Sequence, residues 1–152
     1  MTFYSASSAA EGEHFVDDPA AKKYALIIVG AAVDEQRANE FGGWGLALRE
    51  SLHEDYGYAP HNVRMLLGST AGNDFNVDGS SRVKSIHDTF ETLALRIESG
   101  DQLTVFLIGH GSGSGTSAKF NIVGPDLAGA ELGALLNYIK TQNIIAVNTT
   151  SA

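Results

Sequence analysis

Four short apolar runs, separated by segments of helical periodicity, decide the fold class of this chain. They are Tyr24–Gly30, Asn62–Leu67, Leu103–Ile108 and Asn143–Asn148. Runs of this length, rich in Ile, Val and Leu and without polar alternation, suit strands covered on both faces. Parallel neighbours need a crossover connection, and the segments between the runs supply helical ones. The order strand, helix, strand, helix, strand, helix, strand predicts an α/β three-layer sandwich: a mostly parallel sheet with helices on both faces. At 152 residues the chain has the size of one ordinary domain. The sandwich is expected over residues 23–152. Residues 1–22 are small and polar, with Ser5-Ala-Ser-Ser-Ala-Ala10 and Asp17-Asp18-Pro19, and read as a flexible N-terminal arm.

The crossovers are read from spacing. Ala31 to Gly43 reads as a polar, glycine-containing loop, followed by a helix with Trp44, Leu48 and Leu52 on one face that ends near Tyr56-Gly57. Tyr58-Ala-Pro-His61 is a turn into the second strand. The second helix carries Val83, Ile86, Phe90, Leu93 and Ile97, capped by Ser80 or Ser81, with His87 as a surface or edge histidine. Pro125-Asp126 opens a third helix with Leu127, Leu132, Leu135, Leu136 and Ile139 on its buried side, and Lys119–Val123 fits a short β extension before it.

Two segments carry candidate chemistry. The strand Leu103–Ile108 runs into Gly109-His110-Gly111-Ser112-Gly113-Ser114-Gly115, which sets a histidine among glycines where open parallel sheets bind ligands. A near-neutral pKa suits His110 to proton transfer; a turn residue or hydrogen-bonded structural group is the other reading. The glycines fit either a hairpin tip or a phosphate cradle, but neither the dinucleotide spacing nor a Gly-Lys-Ser/Thr is present, and no serine centres a Gly-x-Ser-x-Gly elbow. Asp74, Asn76 and Asp78, followed by Gly79, match the first half of a calcium loop. Ser85 stands where the bidentate glutamate belongs, so an Asn/Asp turn competes with that metal reading.

Composition removes several alternatives. With no cysteine, the chain has no disulfide, thiolate metal site or thiol nucleophile. A net charge of −8 without a basic cluster argues against nucleic acid or an anionic membrane as partner, and no apolar run is long enough to span a bilayer. The compartment stays open: secreted or periplasmic if a leader has been removed, otherwise cytoplasmic.

Taken in order, Lys-Tyr-Ala-Leu-Ile-Ile-Val-Gly, the Trp44 helix, Tyr-Ala-Pro-His-Asn-Val-Arg and Phe-Leu-Ile-Gly-His-Gly-Ser resemble the caspase and legumain group of cysteine peptidases, most of all a bacterial legumain-like branch. The similarity runs from about Lys22 to Ala152. It implies a caspase-like sheet in which His110 is general base and acid, the Gly111 backbone N–H helps hold the oxyanion, Ser112 borders the substrate, and Ser151 occupies the nucleophile position, with Thr150 as the one-residue alternative. The family has cysteine at that position. A hydroxyl is not measurably ionised at neutral pH, so the resemblance implies an inactive or very slow hydrolase of peptide or protein substrates, working without a cofactor. The family's fold has two further strands past the nucleophile that this chain lacks, so a second chain or a C-terminal fragment is expected to complete the sheet. The alternative is a module on the same scaffold that binds a small anion, a peptide or a protein partner at the glycine loop.

Overall fold

The structure is a computed structural model and describes residues 18–68 and 76–151. Its centre is a parallel five-stranded sheet built from β1 (Lys23–Val29), β2 (Val63–Leu67), β3 (Gly79–Ser80), β4 (Gln102–Ile108) and β8 (Asn143–Asn148) in the spatial order β3-β2-β1-β4-β8. The four strands read from the sequence are present, and the two-residue β3 adds to them on the far side of β2. A second, antiparallel sheet of three two-residue strands, β5 (Gly111–Ser112), β6 (Lys119–Phe120) and β7 (Leu127–Ala128), follows β4 in the chain. The expected β extension at Lys119 is its middle strand.

Alternate residues of β1 enter opposite cores, as the two-residue period of a strand requires. Leu26 and Ile28 join Ile86, Phe90 and Leu93 of α2 (Val83–Arg96), with Leu132, Leu135 and Leu136 of α3 (Gly129–Asn137) packed alongside. Ala25, Ile27 and Val29 join Phe41 and Leu52 of α1 (Glu35–Glu54) on the other side. Helices therefore cover both faces of an α/β sheet.

Three readings of local structure are corrected. The first crossover helix starts at Glu35, within the expected loop: Asp34 caps it by accepting from the Arg37 N–H at 2.8 Å. Its buried face runs through Ala38, Phe41, Gly45 and Leu52, while Trp44 lies exposed. Glycine is needed at position 45 because a Cβ there would lie 2.6 Å from Met65 Cε and 2.8 Å from Val29 Cγ2, so the helix settles close on β1 and β2. Neither Ser80 nor Ser81 caps α2; Arg82 holds the cap position, and the buried Ser81 hydroxyl donates to the Val29 carbonyl at 2.6 Å. The third helix begins at Gly129, after Pro125-Asp126 and after Leu127 has entered β7. The fourth apolar run forms β8, the outermost strand among those described, and is half-exposed.

Candidate functional site

The carboxyl ends of β1, β2 and β4 each run into a glycine, and these glycines let backbones meet. A Cβ at Gly68 would lie 2.2 Å from the Gly30 carbonyl oxygen, and one at Gly30 would lie 2.6 Å from that of Asn121. Gly109 takes φ +147°, in the region that favours glycine, and turns the chain out of β4. His110 then joins the return segment: Asn121 donates its N–H to the His110 carbonyl at 3.0 Å, and Ala31 donates to the Asn121 carbonyl at 2.9 Å. Asn121 thus ties the histidine loop to the end of β1.

On the α1 side the imidazole packs edge-on against Phe41, with ring centroids 5.2 Å apart and planes at 71°. Phe41 is buried and itself touches Trp44. On its other side His110 meets the segment after β8. Its Nδ1 lies 3.0 Å from Ser151 Oγ, and the two residues form a parallel bridge that extends the β4–β8 ladder. The sheet therefore brings together the two residues that the sequence reading assigned as base and nucleophile. Thr150 is turned away from the ring, its Oγ1 lying beside Gly111, and the Thr149 hydroxyl donates to the Leu107 carbonyl at 2.7 Å.

The oxyanion assignment of Gly111 needs correction. Its N–H donates to the Ser151 carbonyl at 2.8 Å, and the Ser151 N–H donates to the Gly109 carbonyl at 3.3 Å. Both of these amides are occupied by the bridge, so neither faces an incoming oxyanion in this conformation. Among the described residues no carboxylate is bonded to the His110 ring. If the imidazole is neutral, Ser151 can transfer a proton to Nδ1 only in the tautomer that carries its proton on Nε2.

A cleft of about 310 Å³ on the α3 side of the sheet is lined by Gly111, Ser112, Lys119, Leu127, Leu132 and Thr150 among others, and neither His110 nor Ser151 lines it. Ser112, expected to border a substrate, is on its wall. The two calcium candidates within the described residues have cationic or backbone partners. Asp78 accepts from Arg64 Nη1 and from the Met65 N–H, each at 2.8 Å, and Asn76 accepts from Arg49 through its carbonyl at 2.8 Å. Asp74 lies outside the described residues. Among those described, no group of three or more His, Asp or Glu side chains is placed to hold a metal ion.

Phe41 and Asn121 were not anticipated as parts of this site. Phe41 fell in the segment read as a loop, and Asn121 acts through its backbone, which no residue-type pattern reveals. No family model matches the chain, and no curated protein matches it.

Proposed function

We propose that this chain is a peptidase-fold protein of the caspase and legumain type in which serine stands at the nucleophile position, and that it is an inactive or very slow homologue. The observation that carries the reading is the 3.0 Å approach of His110 Nδ1 to Ser151 Oγ across the ends of two adjacent parallel strands. β4 and β8, whose ends carry the two residues, are hydrogen-bonded parallel neighbours. Low activity follows from three features: a hydroxyl in place of a thiol, a ring without a carboxylate partner among the described residues, and two amides engaged by the bridge. If hydrolysis occurs, Ser151 attacks the peptide carbonyl, His110 takes its proton and then returns one to the leaving amine.

The absence of native cysteine makes the test direct. In Ser151→Cys the new thiol is the only one, and its alkylation rate against pH reports its thiolate fraction. The expected result is a thiol pKa well below that of a free cysteine, returning towards it when His110→Ala is added, together with turnover of internally quenched peptides by the single variant alone. An ordinary thiol pKa in folded Ser151→Cys, unchanged by His110→Ala, would remove the pair from the mechanism.

The cleft beside Ser112 favours a second reading, a module that binds peptide or a small anion without consuming it. A ligand that raises the melting temperature while remaining intact would support it.

A further inference from the structure

The backbone of Asn121 ties the histidine loop to β1, and its side chain stands beside the imidazole. We propose that Asn121 is a positioning residue for His110: its carboxamide oxygen accepts from the ring Nε2–H and so holds the tautomer whose bare Nδ1 faces Ser151. The inference rests on the proposed role of His110 as base, but the tautomer can be read without any hydrolysis.

Register places the two side chains on one face. β5 and β6 pair antiparallel, with Gly111 opposite Phe120 and Ser112 opposite Lys119. One step along the same ladder His110 stands opposite Asn121, and the Asn121 N–H donated to the His110 carbonyl at 3.0 Å continues the pairing there. Directly opposite residues of an antiparallel pair share a face, with Cβ atoms about 4.5–5.5 Å apart. Burial gives the same answer independently. Phe120 and Ile122 both enter the core beneath α2 and α3, so Asn121 between them turns to the α1 side. The imidazole lies on the α1 side as well, packed against Phe41.

Hydrogen-bonding demand then selects the contact. Among the buried side-chain nitrogen and oxygen atoms of the described residues, Asn121 Oδ1 alone has no hydrogen-bond partner. A buried acceptor in that state calls for a donor. The two amides nearest along the backbone are engaged, since Asn121 donates to His110 and Ala31 donates to the Asn121 carbonyl. The imidazole has one nitrogen to spare: Nδ1 lies 3.0 Å from Ser151 Oγ, and Nε2 has no partner among the described residues. Acceptor and ring nitrogen are not bonded in this conformation, and catalytic hydrogen bonds commonly tighten only in the reacting complex. When the Ser151 hydroxyl gives its proton to Nδ1, Nε2 keeps its own, both ring nitrogens become donors, and Asn121 Oδ1 takes the second one.

Long-range proton–nitrogen correlation NMR of the imidazole, with His110 assigned by the loss of its signal in His110→Ala, reads the tautomer directly. Above the imidazole titration range the wild-type ring is expected to carry its proton on Nε2. Asn121→Leu keeps the backbone bond to His110 and is expected to shift the proton towards Nδ1, which then donates to Ser151. Asn121→Asp keeps an acceptor of the same shape, so the proton stays on Nε2, and the added negative charge raises the His110 titration midpoint by about 1–3 pH units over wild type. A wild-type ring protonated on Nδ1 would overturn the proposal, as would a tautomer and midpoint unmoved in both folded variants, whatever their melting temperatures. Should Asn121→Leu fail to fold, the midpoint in the isosteric Asn121→Asp decides alone. If the ring responds as expected while the Ser151→Cys thiol titrates like a free cysteine, the peptidase reading fails and the positioning role of Asn121 stands.

Discussion

Replacing Gly68 with alanine tests whether the glycine-lined strand ends hold the site together. The added Cβ would meet the Gly30 carbonyl oxygen at 2.2 Å, the Gly30 carbonyl carbon at 2.4 Å and the Ala31 nitrogen at 2.6 Å. All three are backbone atoms, so no side chain can rotate away and the end of β1 must move. Overpacking costs about 1–3 kcal/mol, and a clash confined to backbone belongs at the upper end of that range. The restricted unfolded chain returns about 0.4–1 kcal/mol, leaving roughly 2 kcal/mol of destabilisation. For a domain of this size that lowers the melting temperature by roughly 4–8 °C. Gly43→Ala is the matched control, because its Cβ meets nothing within 4 Å and Gly43 lies inside α1. It should stabilise by about 0.5–1 kcal/mol through helix propensity. Moving Gly30 also shifts Ala31, and with it Asn121 and the His110 carbonyl. In the Ser151→Cys background, Gly68→Ala should therefore weaken the depression of the thiol pKa, while Gly43→Ala leaves it unchanged. Thermal unfolding followed by circular dichroism reads the stabilities. Equal melting temperatures for the two variants would refute the close-approach argument.

Two further substitutions probe the scaffold. Tyr58→Phe removes a buried hydroxyl that lies 3.1 Å from Thr104 Oγ1 and accepts from Gln102 Nε2 at 3.0 Å, and the deprived groups are themselves buried. Urea unfolding should show a loss of about 1–3 kcal/mol, and Tyr58→Phe with wild-type stability would mean that the cluster is satisfied in another way. Asp34→Ala deletes the α1 cap and should cost about 1 kcal/mol, whereas Asp34→Ser should recover most of it; equal losses in both would exclude the capping role.

The sheet was legible because fully apolar runs and helical spacing are produced by burial, and burial dominates the centre of the molecule. β1, β2 and β4 lie where the sequence puts them, to within a residue or so at their ends. The start of α1 was hidden by Gly42, Gly43 and Gly45, which read as loop residues; at Gly45 the missing side chain is a packing requirement against Met65 and Val29. Trp44 misled for a related reason. A large apolar residue dominates any periodicity argument, yet the helix approaches the sheet through its glycines and leaves the indole outside. Of the two-residue strands only β6 was anticipated, as the extension at Lys119; β5 and β7 are too short for a two-residue period to register. At the site, His110 was singled out by its position at the end of an apolar run and Ser151 by the family resemblance, whereas the occupied Gly111 amide depends on the registry of two backbones. Side-chain identity does not encode that registry.

On the proposed peptidase reading, that registry bears on the chemistry as much as the hydroxyl at position 151 does. The bridge that carries Ser151 to His110 also supplies the partners of two amides beside it: Gly111 donates to the Ser151 carbonyl and Ser151 donates to the Gly109 carbonyl. Proximity of Ser151 to His110 comes from continuing the parallel register three positions beyond the last β4–β8 pair, Leu107 and Asn148, and continuing the ladder uses up these backbone donors. An oxyanion needs preorganised N–H groups aimed at it. On the proposed reading, a thiol placed at position 151 supplies only a nucleophile, while the amides stay directed at carbonyls until the Thr149–Ser151 segment shifts relative to Gly109–Gly111. Ser151→Cys should accordingly recover thiolate reactivity towards a small alkylating agent more completely than it recovers peptide turnover, because alkylation requires no oxyanion donors.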